Sequence, residues 1–152
     1  MEEKTHRDQF LDFLQEEGLR CTSQRMGIVD VFLNISKLHP TLEQILQHAQ
    51  ERHPEMGYAT VYRTMKLLVS SGLAYEHRFT DQAQARFELN EEGEHHDHLI
   101  CILCGHIVEF ENEEIERLQD ELAEEHGFKV VSHRHEIYGE CQRASCVGQS
   151  DA

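Results

Sequence analysis

The chain has 152 residues, 39% of them hydrophobic, and a formal net charge of −15 from 14 Lys+Arg against 29 Asp+Glu. That length suits one ordinary domain or two small ones. No apolar run nears the roughly 20 residues of a membrane span, and the opening "MEEKTHRDQF" lacks the apolar core of a secretory signal, so a cytoplasmic protein with no membrane partner is expected.

The first elements read as short helices. Residues 5–17 place Phe10, Phe13 and Leu14 on one face, with Gly18 as the stop. Thr22 or Ser23 can cap a second helix with the stripe Met26, Val29, Phe32 and Leu33. Thr41 and Gln44 form a capping box for a third, carrying Leu42, Ile45, Leu46 and Ala49. "MGYATVYRTMKLLVSSG" is the fourth, stopped by Gly72. The period then changes to two. "LAYEHRF" alternates Leu73, Tyr75, His77 and Phe79 against polar partners, "TDQAQ" reads as a turn, and "ARFEL" as a second strand. Three or four helices followed by a hairpin is the layout of a winged helix-turn-helix.

The polar stretch "EEGE" reads as a hinge at 91–94, separating a domain over 1–90 from another over 95–152. Beyond it, "HLICIL" and "HIVEF" are strands around a turn at Gly105. Asn112 can cap a helix reaching about His126, with Ile115, Leu118 and Leu122 on one face, and "FKVVSHRHEIYGE" is a third strand. The fold class is therefore α+β: a winged-helix domain, then a small α/β domain. The final "VGQSDA" is expected to fray.

Charge and ligand types divide along the same line. Residues 1–86 carry a net −2 and residues 87–152 a net −13, and the second stretch holds seven of the 12 histidines and four of the five cysteines. Acidity with His and Cys suits cation binding, although part of it is the solvated face of the helix in "EFENEEIERLQDELAEEH". An odd cysteine count without a signal argues against a disulfide framework. Cys101-x2-Cys104 and Cys141-x4-Cys146 instead offer four thiolates, the donor set that zinc favours in closed structural sites. Cys21 has no partner nearby and reads as a packed helical cysteine.

In "HHDH" at 95–98, an extended backbone sends His96 and His98 to one face and His95 and Asp97 to the other. Two ligand pairs on opposite faces imply two further sites. The candidate distant partners are His39, Glu88, Glu109, Glu116 and His133, with His135 undecided. Mixed imidazole and carboxylate donors suit Fe(II), Mn(II) or Zn(II). His48, His53, His77, His106 and His126 read as surface or capping residues.

"YATVYRTMK" would be the recognition helix of the winged motif, presenting Thr60, Tyr62, Arg63 and Thr64 to a major groove. Arg63 can bond guanine or a phosphate, and Tyr62 a base edge or a thymine methyl. Arg20, Gln24, Arg25, Lys66, Arg78 and Arg86 can hold phosphates. The rival readings are a small non-haem metalloenzyme using the His/Glu ligands and a zinc-stabilised interaction module or metal buffer. No nucleophile motif or Gly-rich loop supports the enzyme.

Over about residues 5–146 the chain resembles the ferric uptake regulator family of metal-dependent bacterial repressors. The resemblance is carried by "TSQR" at 22–25, "ATVYRT" at 59–64, "RFEL" at 86–89, "HHDHLIC" at 95–101, "CG-x-IVEF" at 104–110 and "YGEC" at 138–141. It implies a homodimer joined through the second domain, with dimer against tetramer left open. It also implies structural zinc on Cys101, Cys104, Cys141 and Cys146. A regulatory site at the hinge would use His39, Glu88, His96 and His98, with Glu109 as a further ligand. A second site in the dimerisation domain would use His95, Asp97, Glu116 and His133. By the same resemblance Arg20 reaches a minor groove, and Tyr62 and Arg63 meet the major groove; with Arg25 and Thr60, read above from the residues, they would hold the protein on an AT-rich inverted repeat. The peroxide-sensing branch typically has Asp where this chain has Glu88 and Glu109, and zinc-sensing relatives usually differ in the HHDH run. The resemblance thus implies an Fe(II)-dependent repressor of iron-uptake genes, with Mn(II), Zn(II) or peroxide sensing as alternatives.

Overall fold

In the computed structural model, residues 4–78, 84–91 and 96–146 are described. The chain divides into two compact units, Met1–Glu92 and Gly93–Ala152. Of the expected hinge only Glu91 is described, and both Phe79 and the expected frayed tail lie outside the described residues.

The N-terminal unit opens with α1 (His6–Glu16), whose capping box is built by Thr5 and Asp8. Gly18, at φ 66°, reverses the chain after it. Helix α2 (Ser23–Ile35) starts at Thr22, whose hydroxyl accepts from the Arg25 N–H at 3.2 Å. Cys21 lies before this helix and is exposed, correcting the expectation of a packed cysteine. A single 3-10 turn (Ser36–Leu38) leads to α3 (Leu42–Gln50), where Thr41 and Gln44 close the expected box at 2.9 and 3.3 Å. Helix α4 spans Tyr58–Ser70. Met56, expected in its first turn, instead plugs the core from the preceding loop, where its carbonyl accepts from Gln50.

Strands β1 (Ala74–His77) and β2 (Arg86–Leu89) form the antiparallel wing. Ala74, not Tyr75, meets the core, so the apolar face expected from the alternation is reversed at this point. The reason is packing: Leu73 and Ala74 follow α4 directly, and both join the core cluster to which that helix contributes Val61, Met65 and Leu68. The wing is tied to the body by a bridge between Thr41 and Arg86 and by the Phe87 N–H donating to the Pro40 carbonyl at 3.0 Å. One continuous core results, running from Phe10 and Leu14 through Ile28, Phe32, Ile45, Val61 and Met65 to Phe87.

The C-terminal unit is a three-stranded sheet in the order β4-β3-β5, with β3 Asp97–Cys101, β4 Ile107–Phe110 and β5 Glu136–Gly139. Strands β3 and β4 are antiparallel, and β5 runs parallel to β3. A parallel pair needs a crossover, which α5 (Glu113–Glu125) supplies. The Asn112 side chain caps α5 by accepting from the N–H groups of Glu114 and Ile115, both at 3.1 Å. Glu113, Glu114 and Glu116 in the first turn favour the same end of the helix dipole. The last strand is shorter than the expected 128–140, because its pairing begins only at His98↔Glu136, near the start of β3.

Candidate metal centres and nucleic-acid face

The thiolate cluster follows from the sheet. Strand β3 ends at Cys101, and a tight turn with Gly105 at φ 70° returns the chain, its N–H donating to the Cys101 carbonyl at 2.9 Å. Cys104 sits in that turn. The parallel register Cys101↔Gly139 delivers Cys141 to the same place, and Cys146 closes the group from the following loop. All four Sγ atoms lie within 4.8 Å of one another, with Cys101–Cys146 at 3.8 Å and Cys104–Cys141 at 3.6 Å. A tetrahedron with Zn–S bonds of about 2.3 Å has edges of about 3.8 Å, so the donors fit that ion in type and in spacing.

The site also favours thiolate. The Cys141 N–H donates to Cys101 Sγ at 3.3 Å, and with help from the N–H groups of Cys104 and Leu103 it outweighs burial and lowers the Cys101 thiol to about 6. The Arg143 guanidinium holds the Cys141 thiol below its ordinary value and approaches Cys104 Sγ at 3.7 Å.

A second cluster joins Asp97 at the start of β3, Glu116 in the first turn of α5, and His133 ahead of β5, all within 4.8 Å. His133 Nε2 is 3.1 Å from Glu116 and 3.8 Å from Asp97, whose carboxylate is only 1% exposed. These nitrogen and oxygen donors fit a divalent ion of borderline or hard character. His95, the fourth expected ligand, lies outside the described residues. His135, undecided from sequence, sets Nδ1 3.9 Å from the second Asp97 oxygen.

The remaining expected ligands occur on each unit separately. In the N-terminal unit His39 ends the 3-10 turn in the left-handed region, φ 48°, which is uncommon for a residue with a Cβ. Its carbonyl accepts from the Arg86 guanidinium at 3.0 Å, which ties the wing to this loop. Glu88 is buried on β2, and His77 Nε2 lies 2.7 Å from its carboxylate. His77 is itself buried, which corrects its reading as a surface residue. The strand register accounts for it: Tyr75 stands opposite Glu88, and His77, two residues on, shares that face. In the C-terminal unit His98 stands directly across the strand pair from Glu109. His96 precedes β3, with Nδ1 3.7 Å from Glu111, a neighbour that the sequence reading did not name.

On α4, Tyr62 and Arg63 are exposed and Thr60 is half-buried. Tyr58, in the first turn of the same helix, is also exposed. Thr64 is buried, donating to the Thr60 carbonyl at 2.8 Å, so it does not face a groove. Arg20 is exposed in the loop after α1, where its carbonyl accepts from the Arg25 guanidinium.

A profile of the Ferric uptake regulator family matches residues 16–138. The chain is 37% identical over 136 residues to the Ferric uptake regulation protein of Neisseria meningitidis, covering 90% of this chain and 93% of that protein. Its fold matches the Helicobacter pylori ferric uptake regulator, described as having three functional metal binding sites, with TM-score 0.79, 27% identity, and coverage of 93% of this chain and 95% of the other. It also matches a zinc-bound manganese uptake regulator with TM-score 0.66, 38% identity, and coverage of 88% and 98%.

Proposed function

We propose a function from the premise that this chain belongs to the ferric uptake regulator family. Members of that family are metal-responsive, DNA-binding transcriptional regulators and not enzymes, so the metalloenzyme alternative is set aside. The reading is an Fe(II)-dependent repressor of iron-uptake genes, acting in the cytoplasm as a homodimer on an AT-rich inverted repeat. The observation that carries it is the distribution of ligands: incomplete nitrogen–oxygen sets stand on both units, His39 and Glu88 on one, His98 and Glu109 on the other.

Cys101, Cys104, Cys141 and Cys146 would hold structural zinc, which supplies a soft, redox-inert centre for thiolates. Asp97, Glu116, His133 and His95 would make a second site within the dimerisation domain. His39, Glu88, His96 and His98, with Glu109, would hold the regulatory ion, whose positive charge favours gathering ligands from both units. The wing carries Glu88, so a ligand set closed on both units restricts how α4 can be presented. Two recognition helices of a dimer held at one angle match successive major-groove segments. Arg20 and Arg25 then contact the backbone or minor groove, while Tyr62 and Arg63 meet bases.

The dimer reading is supported by an uncovered apolar face. Leu99, Val108 and Ile137 stand side by side across the three strands, each about two-fifths exposed, and no side chain of α5 is buried although Leu118 and Leu122 are apolar. A second copy of the chain would cover this surface.

Iron is the choice implied by the names of most relatives, whereas the manganese regulator's 38% identity shows how little overall similarity separates metals. A DNA-binding titration against Fe(II), Mn(II), Zn(II) and no added metal, with the structural zinc intact, tests the reading. Fe(II) is expected to give the largest gain in operator affinity, and His96→Ala and His98→Ala to remove it. Mutants that respond to metal as the wild type does would refute the hinge assignment.

A further inference from the structure

Beside the expected reading surface of α4, three charged side chains are tied into one unit. The Lys66 ammonium stands 5.6 Å above the Tyr62 ring and also pairs with the Glu76 carboxylate of β1. Arg78 Nε donates to the other Glu76 oxygen at 3.1 Å. Glu76 is the inward member: its side chain is 14% exposed, against 39% for Lys66 and 59% for Arg78. Burial pushes its carboxyl up, but the bonds from Lys66 and Arg78 outweigh burial and hold it below the usual carboxylate range.

An anion in this place opposes the general attraction to DNA. Phosphate contacts supply nearly all non-specific affinity, whereas base-edge contacts supply sequence preference. Lys66 and Arg78 are each engaged by the Glu76 carboxylate rather than offered to a phosphate. The Tyr62 ring lies under the same ammonium, so the position of Lys66 is linked to a residue on the base-reading face.

The geometry points to Glu76 as a specificity-determining counter-ion that restrains Lys66 and Arg78 from DNA phosphates. It weakens attachment to DNA of any sequence and leaves discrimination to Tyr62 and Arg63. This inference rests on the DNA-binding reading above.

The test uses the full-length, zinc-loaded protein with Mn(II), on a random-sequence duplex and on an operator selected from a random pool, at salt from about 50 to about 200 mM. Glu76→Gln is expected to bind the random duplex about tenfold more tightly, with a salt slope steeper by about one to two units as one or two more phosphates are engaged. The operator gains less, so the specificity ratio falls, and Lys66→Gln added to Glu76→Gln takes back much of the gain. Unchanged or weaker random-duplex binding, or an unchanged slope, in a Glu76→Gln protein with wild-type unfolding would overturn the inference. Lys66→Gln and Arg78→Gln in the wild-type background give a check independent of that variant's folding. Each should leave the non-specific slope nearly unchanged, and a drop of about one unit from either would show its cation already on a phosphate, and Glu76 no restraint. A wild type that binds neither duplex with any metal would instead sink the functional reading itself.

Discussion

The two units reach their folds by different means. Among the described residues, the N-terminal unit buries sixteen apolar side chains in one continuous cluster, from Phe10 to Phe87. Among the described residues of the C-terminal unit only Ile100, Cys101 and Cys146 are buried apolar residues, and two of those three are candidate metal ligands. No residue of its helix is fully buried, and its stretch of chain carries most of the negative charge. Burial at roughly 25 cal/mol per Å² is the main stabilising contribution in the first unit. The second has less of it, and on the proposed reading three of its features would supply what burial does not: a thiolate tetrad, a carboxylate–imidazole cluster, and an apolar sheet face suited to a partner.

Substitutions in each unit test this contrast. The largest effect is expected at the cysteines. Cys101→Ser, or removal of zinc with a chelator, should unfold the C-terminal unit, since structural zinc in small domains contributes on the order of 10 kcal/mol. Circular dichroism should still show the helices of the N-terminal unit, and full loss of helix would erase the distinction. Phe32→Ala is the converse experiment. It should destabilise the N-terminal unit by about 3 to 5 kcal/mol while zinc content, read by a chromophoric chelator, stays stoichiometric. Leu118→Glu places a charge on the uncovered face of α5. Sedimentation should show monomer at concentrations where the wild type is dimeric, with N-terminal unfolding unchanged. Thr41→Ala removes one half of a capping box that also borders the wing, and a loss of about 1 kcal/mol should appear in thermal unfolding of the N-terminal unit alone. Arg143→Ala should have the smallest effect, a faster loss of zinc to chelator with the fold intact, because the guanidinium sits beside two thiols without being a ligand.

Local chemistry was legible in the chain. Thr22, Thr41 and Asn112 cap helices because their side chains reach N–H groups two or three residues on, a relation contained in a few residues of sequence. The cysteine spacing and the opposite faces of Asp97 and His98 are likewise local. What could not be read depends on register and packing. His77 reaches Glu88 only because the wing pairs Tyr75 with Glu88. Ala74 rather than Tyr75 is buried because Ala74 joins the core cluster to which α4 contributes. Strand β5 is short because its partner strand is short, and Glu76 is a counter-ion only once β1 lies along α4. Each needs a second segment whose position no single window of sequence contains.

The central claim is that one regulatory ion draws ligands from both units, and a double-mutant cycle on His39 and His98 tests it most directly. Fe(II)-dependent gain in operator affinity would be measured for wild type, His39→Ala, His98→Ala and the double variant, with zinc content held equal. Coupling of this kind is typically about 5- to 150-fold. The account predicts that each single substitution removes nearly all of the gain and that the double variant is no worse than either. Two partial losses that add in the double variant would place His39 and His98 at separate sites and contradict the account.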